Sequence, residues 1–570
     1  MISTLLLLIA TSASDPAIEY HFPPATVEDA AKAPALAAKA DTSFMVRRWD
    51  RAVPLYEELI AANPTVGLYW YRLGISALND GKYDKAIGAF SRANELGAYQ
   101  WHPLRTVYRG ESAWGLAAAH ARLGHRDEAI RWTRTSLSQG LRDIQRFHEG
   151  YFEVLLDDPE YRQLVWKVET KDLSRDEGLR LDLKFLLHEI KRIHFDPFRA
   201  TSEQEIDSLA SQLHDEIPQL NDDQVYVRMM AIVRRFGDGH TQLGRNSRPS
   251  RLPIWLFRYP EGLYITAALE PQADLVGARV VKIGDRTADE AIRLAEEIAS
   301  RDNPMTVISF TPMLLASTRI LHGLGIVSDD GPVALEIEDT GGVTRRVELT
   351  PIERRVRDEE WVRKVSGRDD PMPLSEGQRA KMYWFEPLAG ERMIYCQINS
   401  IRDDPSNPFR NFCKRLFEAV EQPEVDTLVI DLRHNGGGDT FNNVPLIEGL
   451  IRSEKLQHPG RLFVIIGRLT FSAAQNTTDE LERRTKAILV GEPTGSSPNF
   501  IGESIRIPLP YTSWGVSASD LWWQHSMSMD YRIWTNPQLY APPTAAAFRV
   551  HRDVALETIA KYRNETAVKK

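Results

Sequence analysis

The sequence predicts a multidomain α/β chain: a helical N-terminal array, a small helical segment, a β-rich segment and a C-terminal strand–helix–strand core. Three observations predict it. Small and large apolar residues recur at helical spacing through the first part. Short β-type runs take over in residues 250–352. In residues 380–565 apolar strand-like runs alternate with helical stretches, the pattern of a mainly parallel sheet covered by helices.

With 570 residues, 42% hydrophobic and 26% charged, the chain is long enough for several folded domains. A net charge of −9 without any long basic run speaks against a nucleic-acid partner. No stretch approaches the ~18 consecutive apolar residues of a membrane span. The apolar run Leu5–Ala10, followed by small residues through Ser14, reads as a signal peptide over residues 1–14. That implies export to the periplasm or the outside of the cell. Cys396 and Cys413 read as buried thiols; export leaves their pairing open. Neither has the His or Cys neighbours of a zinc site.

The helical array occupies residues 33–150. Trp70, Leu73, Gly74, Ala86, Phe90 and Ala93 follow a large/small pattern, and Ala52, Tyr56 and Pro64 each lie 34 residues before Ala86, Phe90 and Ala98. A looser copy runs through Leu116, Ala117, Gly124 and Ala129. Small residues let antiparallel helices approach, and the aromatic fills the gap between pairs. The pattern resembles tetratricopeptide repeats, which implies a possible protein partner.

Residues 170–248 read as a small helical domain. Leu183, Leu187 and Ile190 mark one helix. Asp222 or Asp223 is placed to cap a second, with Val225, Met229, Val233 and Phe236 on one face. It runs into Gly237-Asp238-Gly239-His240-Thr241, where a glycine ends the helix and sets His240 on a tight turn. In residues 250–352, strand-like Leu263–Ala267, Ala278–Ile283 and Val333–Ile337 flank a helical run, Ala288–Ala299. The stretch GARVVKIGDRTADEAIRL resembles the end of a PDZ domain. Residues 353–380 are charged and irregular.

In the core, the strand-like runs are Met393–Ile398, Thr427–Leu432, Leu462–Ile466 and Ala487–Val490, separated by helical stretches near 409–421, 442–453 and 473–484. Active sites in such sheets lie at the carboxyl ends of strands. There the run Asp431-Leu432-Arg433-His434-Asn435-Gly436-Gly437-Gly438 lets a backbone turn its N–H groups outward. Asn435 is placed to brace it. The segment Gly467 to Gln475 follows a strand and opens a helix, which puts Ser472 where free amides favour negative charge. Ser472 reads either as a plain N-cap or as a nucleophile. His240 is of the type that serves as general base near neutrality. Ala473 and Gly437 amides are the candidate oxyanion donors.

Together FGDGHT, VIDLRHNGGG, TFSAAQN and VGEPTG, in this order, resemble the C-terminal-processing and tricorn-like serine peptidase family over residues 179–565. The resemblance implies a crotonase-like ββα core and peptide-bond hydrolysis through an acyl-enzyme, on a protein or peptide substrate, without metal or organic cofactor. One branch of the family uses a lysine base just after the GE-x-T strand end. Here Gly491 to Asn499 contains no lysine, and Lys486 precedes the strand, so the chain fits the histidine branch through His240. In the tricorn-like branch the third residue is a glutamate well downstream of the serine. No glutamate lies between Glu503 and Glu557, so Asp530 is the candidate by separation, with Glu503 and Glu492 as rivals. Gly239 stands where the tricorn-like pattern has a serine.

Two other readings stay open. The first is an inactive peptide-binding scaffold built on the repeats and the PDZ-like region. The second is an acyl-CoA enzyme on the same core, though no phosphate-cradling motif supports it. An α/β-hydrolase would need Gly-x-Ser-x-Gly, which is absent. Trp514, Trp522, Trp523 and Trp534 are candidates for a substrate groove or for core.

Overall fold

The structure, a computed structural model, describes residues 27–98, 107, 110–244, 250–388 and 390–567. The expected signal segment lies outside them. The chain falls into two compact units, Met1–Glu169 and Thr170–Lys570.

In the first unit, helices Val27–Met45, Trp49–Ala62, Gly67–Asn79, Tyr83–Leu96, Glu111–Arg122 and Arg126–Ser138 pack on one another in chain order. Phe90 is wholly buried between two glycines. A Cβ built on Gly74 would stand 2.7 Å from its ring, and one on Gly115 2.4 Å. The small/large spacing in the sequence is thus a packing requirement: the helices approach because these positions carry no side chain.

The second unit opens with helix Arg175–Ile193, started by a Ser174–Glu177 capping box. Helix Asp222–Val233 is capped by Asn221, one residue earlier than the sequence suggested. The reason is reach: Asn221 Oδ1 accepts from the Gln224 amide at 2.9 Å, three positions on. As expected, Gly237 ends this segment in the left-handed region at φ 77°.

An antiparallel sheet follows, in the order Ile254–Tyr259, Gly262–Ala268, Arg279–Ile283, Val333–Glu338, Thr344–Leu349. Helices Ala288–Glu296 and Pro304–Leu315 accompany it. The remaining core is a six-stranded sheet in the order Leu539–Tyr540, Ile488–Gly491, Leu462–Ile466, Thr427–Asp431, Met393–Ile398, Tyr383–Leu388. Its pairs are parallel except the last. Every residue of strands Thr427–Asp431 and Leu462–Ile466 is buried, as a sheet covered on both faces requires. Alternate residues separate the two faces. Leu428, Ile430, Val464 and Ile466 pack with Phe412, Leu416, Leu450 and Leu481. Val429, Phe463 and Ile465 pack with Ala555 and Ile559. Cys396 and Cys413 are free, buried thiols in the first cluster, and burial pushes Cys413 up to about 12.

The sequence did not announce one element, the long antiparallel hairpin Asn499–Pro508 and Gly515–Gln524. Residues Gln242–Leu243, just after His240, pair with its second strand opposite Ser517 and Val516. This pairing carries the histidine turn to the C-terminal part of the chain across more than 270 positions of sequence. Among the described residues no helix is long and apolar enough to cross a membrane.

Candidate active site

Ser472 sits between strand Leu462–Ile466 and helix Ala473–Arg484, with φ 57° and ψ −124°. A non-glycine residue held there is strained, and such strain persists only where the surroundings over-determine it. They do so here. The Phe471 amide donates to the Asn435 carbonyl at 3.2 Å, and the Ser472 carbonyl accepts from the Asn476 amide at 3.1 Å. Thr470 Oγ1 donates to the Leu432 carbonyl at 2.9 Å. The Ser472 amide donates to Ser496 Oγ at 3.3 Å. The Ser472 side chain makes no cap bond to its own helix. Its hydroxyl therefore stands at the positive end of that helix without serving as an N-cap.

The glycine loop packs directly on this turn. A Cβ on Gly437, at φ 113°, would lie 2.7 Å from Ser472 Cβ and 3.1 Å from the Ala473 nitrogen. Asn435 braces the loop in two directions: Nδ2 donates to the Ile398 carbonyl at 2.9 Å, and Oδ1 accepts from the Gly437 amide at 2.9 Å. The Gly437 N–H is thereby engaged within its own loop. What Gly437 contributes beside Ser472 is the absence of a side chain. The loop's own histidine, His434, forms a half-buried pair with Glu376, Nε2 to Oε1 at 3.0 Å.

His240 reaches the serine segment from the other side. Its ring stacks on Phe471, the residue before Ser472, at 4.4 Å between centroids and 27° between planes. Phe500, from the unanticipated hairpin, covers the ring at 5.4 Å and 5°. The turn beneath it is organised by Asp238, which is buried. Asp238 Oδ1 accepts from the amides of His240 (2.9 Å) and Thr241 (2.7 Å) and from Ser519 Oγ (2.7 Å), while Oδ2 pairs with His194 Nε2 at 2.8 Å. Burial opposes the ionisation of Asp238, but the bonds from His194 and Ser519 outweigh it and hold its pKa below the ordinary range. The Gly239 amide donates to Asp302 Oδ1 at 2.6 Å.

The structure therefore brings His240, Ser472, Ala473 and Gly437 into one neighbourhood. The acids named from the sequence are held as follows. Asp530 accepts from Arg532 Nη2 at 2.8 Å and Ser526 Oγ at 2.6 Å, and the Arg532 guanidinium pulls its pKa down to about 2. Glu492 is paired with Arg468, Nε to Oε2 at 3.0 Å. Glu503 stands in the first hairpin strand with φ 59°. Asp238, Asp302 and Ser496 were missed from the sequence. Asp302 lies in a loop just before helix Pro304–Leu315.

No family model and no curated protein matches the chain. Among solved structures, mature CPAF complexed with lactacystin aligns with a TM-score of 0.51 and 14% identity, over 69% of this chain and 98% of that one. A second structure of mature CPAF gives 0.49 and 13%, over 68% and 96%. The photosystem II D1 C-terminal processing protease gives 0.34 and 11%, over 68% and 97%. At 14% identity the first alignment speaks for fold: over 69% of its length, this chain is built on the fold of the lactacystin-bound CPAF structure.

Proposed function

We propose that the chain is a serine peptidase of the C-terminal-processing and tricorn-like kind, with Ser472 as nucleophile and His240 as general base. One observation carries the reading: a strained serine whose hydroxyl caps nothing lies next to the aromatic ring on which His240 stacks. Ser472 attacks a peptide carbonyl while His240 takes its proton. The Ala473 amide, at the helix start, faces the developing oxyanion beside the glycine loop. His240 then protonates the leaving amine, and water resolves the acyl-enzyme by the same route. The reading includes tetratricopeptide-like repeats, a PDZ-like domain, a crotonase-like core, and export. The fold shared with the lactacystin-bound CPAF structure supports it without assigning a substrate.

The test is a peptide-library digest read by mass spectrometry. Wild type cleaves; Ser472→Ala and His240→Ala do not. Cleavage that persists in Ser472→Ala rejects the reading.

Two further outcomes are expected of the site. Gly437→Ala places a methyl against Ser472 at a positive φ. It should lower kcat/KM by about 10²-fold or more, the order seen when an oxyanion site is disturbed, and destabilise by about 1–3 kcal/mol. Steady-state kinetics and urea unfolding measure both. Asp530 enters the proposal through its own variant. For Asp530 to orient His240, its pair with Arg532 has to open. A loss in Asp530→Asn of about 10³-fold or more installs it as the orienting acid. A change within about threefold removes it.

A further inference from the structure

Asp302 lies at a helix start that touches both halves of the proposed site, and the following inference rests on that reading. Its position is fixed by the start of helix Pro304–Leu315. Asn303 caps that helix, and its Nδ2 donates to the Thr494 carbonyl at 3.1 Å and the Ile533 carbonyl at 2.8 Å. Thr306 Oγ1 donates to the Gly495 carbonyl. The helix start is thereby bolted to the turn that carries Ser496. From there Asp302 Oδ1 accepts the Gly239 amide at 2.6 Å, one residue before His240. Ser496, in that turn, accepts the Ser472 amide on its Oγ at 3.3 Å, while Asp302 Oδ2 is buried without a hydrogen-bond partner. One helix start thus links the histidine turn, through Asp302 and Gly239, to the serine turn, through Asn303, Thr306 and the 494–496 turn.

We propose that Asp302 is a positioning residue whose carboxylate clamps the His240 turn to the Ser472 turn, so that the site is fully competent only when Asp302 is ionised. As a carboxylate it accepts from the Gly239 amide, and a charge-assisted bond of this kind is stronger than a neutral one. Its negative charge beside the turn also favours the imidazolium that His240 becomes during attack. Burial, with the nearby charge of Asp238, pushes Asp302 up to about 7; the Gly239 amide, Ser496 and Arg199 pull the other way. The groups facing it are therefore Asp238, with His194 behind it, Arg199 and the His240 turn. An acid poised there changes state within the range in which a histidine base works.

Asp302→Asn is a nearly isosteric copy of the protonated acid: its amide oxygen still accepts from Gly239. The experiment measures kcat and KM for one peptide substrate from pH 5.5 to 8.5, for wild type and Asp302→Asn. The wild-type to variant ratio of kcat should stay at or below about 1 at the acid end and rise to about tenfold at the alkaline end, the size of one pKa unit of differential interaction. KM should be unchanged. A ratio that is constant with pH overturns the inference and leaves a merely structural role. Stability supplies a second readout. The folded pKa of Asp302 lies above the unfolded 3.8, so its ionisation lowers stability as pH rises through 7. Asp302→Asn should therefore unfold no earlier than wild type at pH 8, and a variant that fails to fold there contradicts the account. Wild type lacking all activity rejects the peptidase reading itself, and this inference with it. An active wild type with parallel pH profiles rejects only the role of Asp302.

Discussion

Replacing Ser472 with alanine is expected to lower kcat/KM for a peptide by about 10⁴-fold or more while leaving the fold intact. The two halves of that expectation come from one geometry. The hydroxyl makes no cap bond, so its removal does not forfeit the roughly 1 kcal/mol that an N-cap contributes. Alanine inherits the same positive φ and the same strain. Stability by urea unfolding should then stay within about 0.5 kcal/mol of wild type. Ser472→Gly sharpens the point. Glycine adopts φ 57° freely, so this variant should be equally inactive yet more stable, by about 1 kcal/mol. Had Ser472 been an ordinary cap, alanine would destabilise and activity would be untouched.

His240→Ala should bring a loss of comparable size, about 10³-fold or more, because the serine hydroxyl is then left without its base. The double variant Ser472→Ala/His240→Ala should be no worse than Ser472→Ala alone, since the two groups act as one unit. Additive losses would place His240 outside the reaction. Unlike the serine, the histidine also packs: its ring lies between Phe471 and Phe500. Truncating it opens a gap, and a stability loss of about 1–3 kcal/mol is expected alongside the kinetic one. Kinetics and denaturant melts on the same samples separate the two effects.

Much of this fold was legible from residue order alone, and the physical reasons are specific. Strands such as Leu462–Ile466 are buried on both faces, so they read as unbroken apolar runs. Phe90 and Gly74 announced their packing through the large/small spacing, whereas Gly115, whose Cβ would also meet that ring, was not singled out. The turns carrying His240 and Ser472 are local, marked by glycine after one helix and by a strand end before another. The hairpin Asn499–Pro508 and Gly515–Gln524 was not legible. Its second strand is buried on both faces over residues 515–520 and carries Ser517, Ser519 and Asp520 there, polar residues that break up the apolar run. Ser519 is at home there because Asp238 and Thr241 bond to it from about 280 positions away. Asp302 escaped notice for the same reason: its partner Gly239 is 63 residues distant. Pairings of that range leave no mark on periodicity or local motif. Gly437 shows the intermediate case. Its place against Ser472 followed from the glycine run, but the engagement of its amide by Asn435 required coordinates.

The most direct test of the central claim is covalent labelling with a fluorophosphonate, followed by peptide mapping of the modified site. The account predicts a single label on Ser472 in wild type, none on that peptide in Ser472→Ala, and labelling slowed by about 10²-fold or more in His240→Ala. Peptide cleavage by a protein that takes up no label at Ser472 would contradict it.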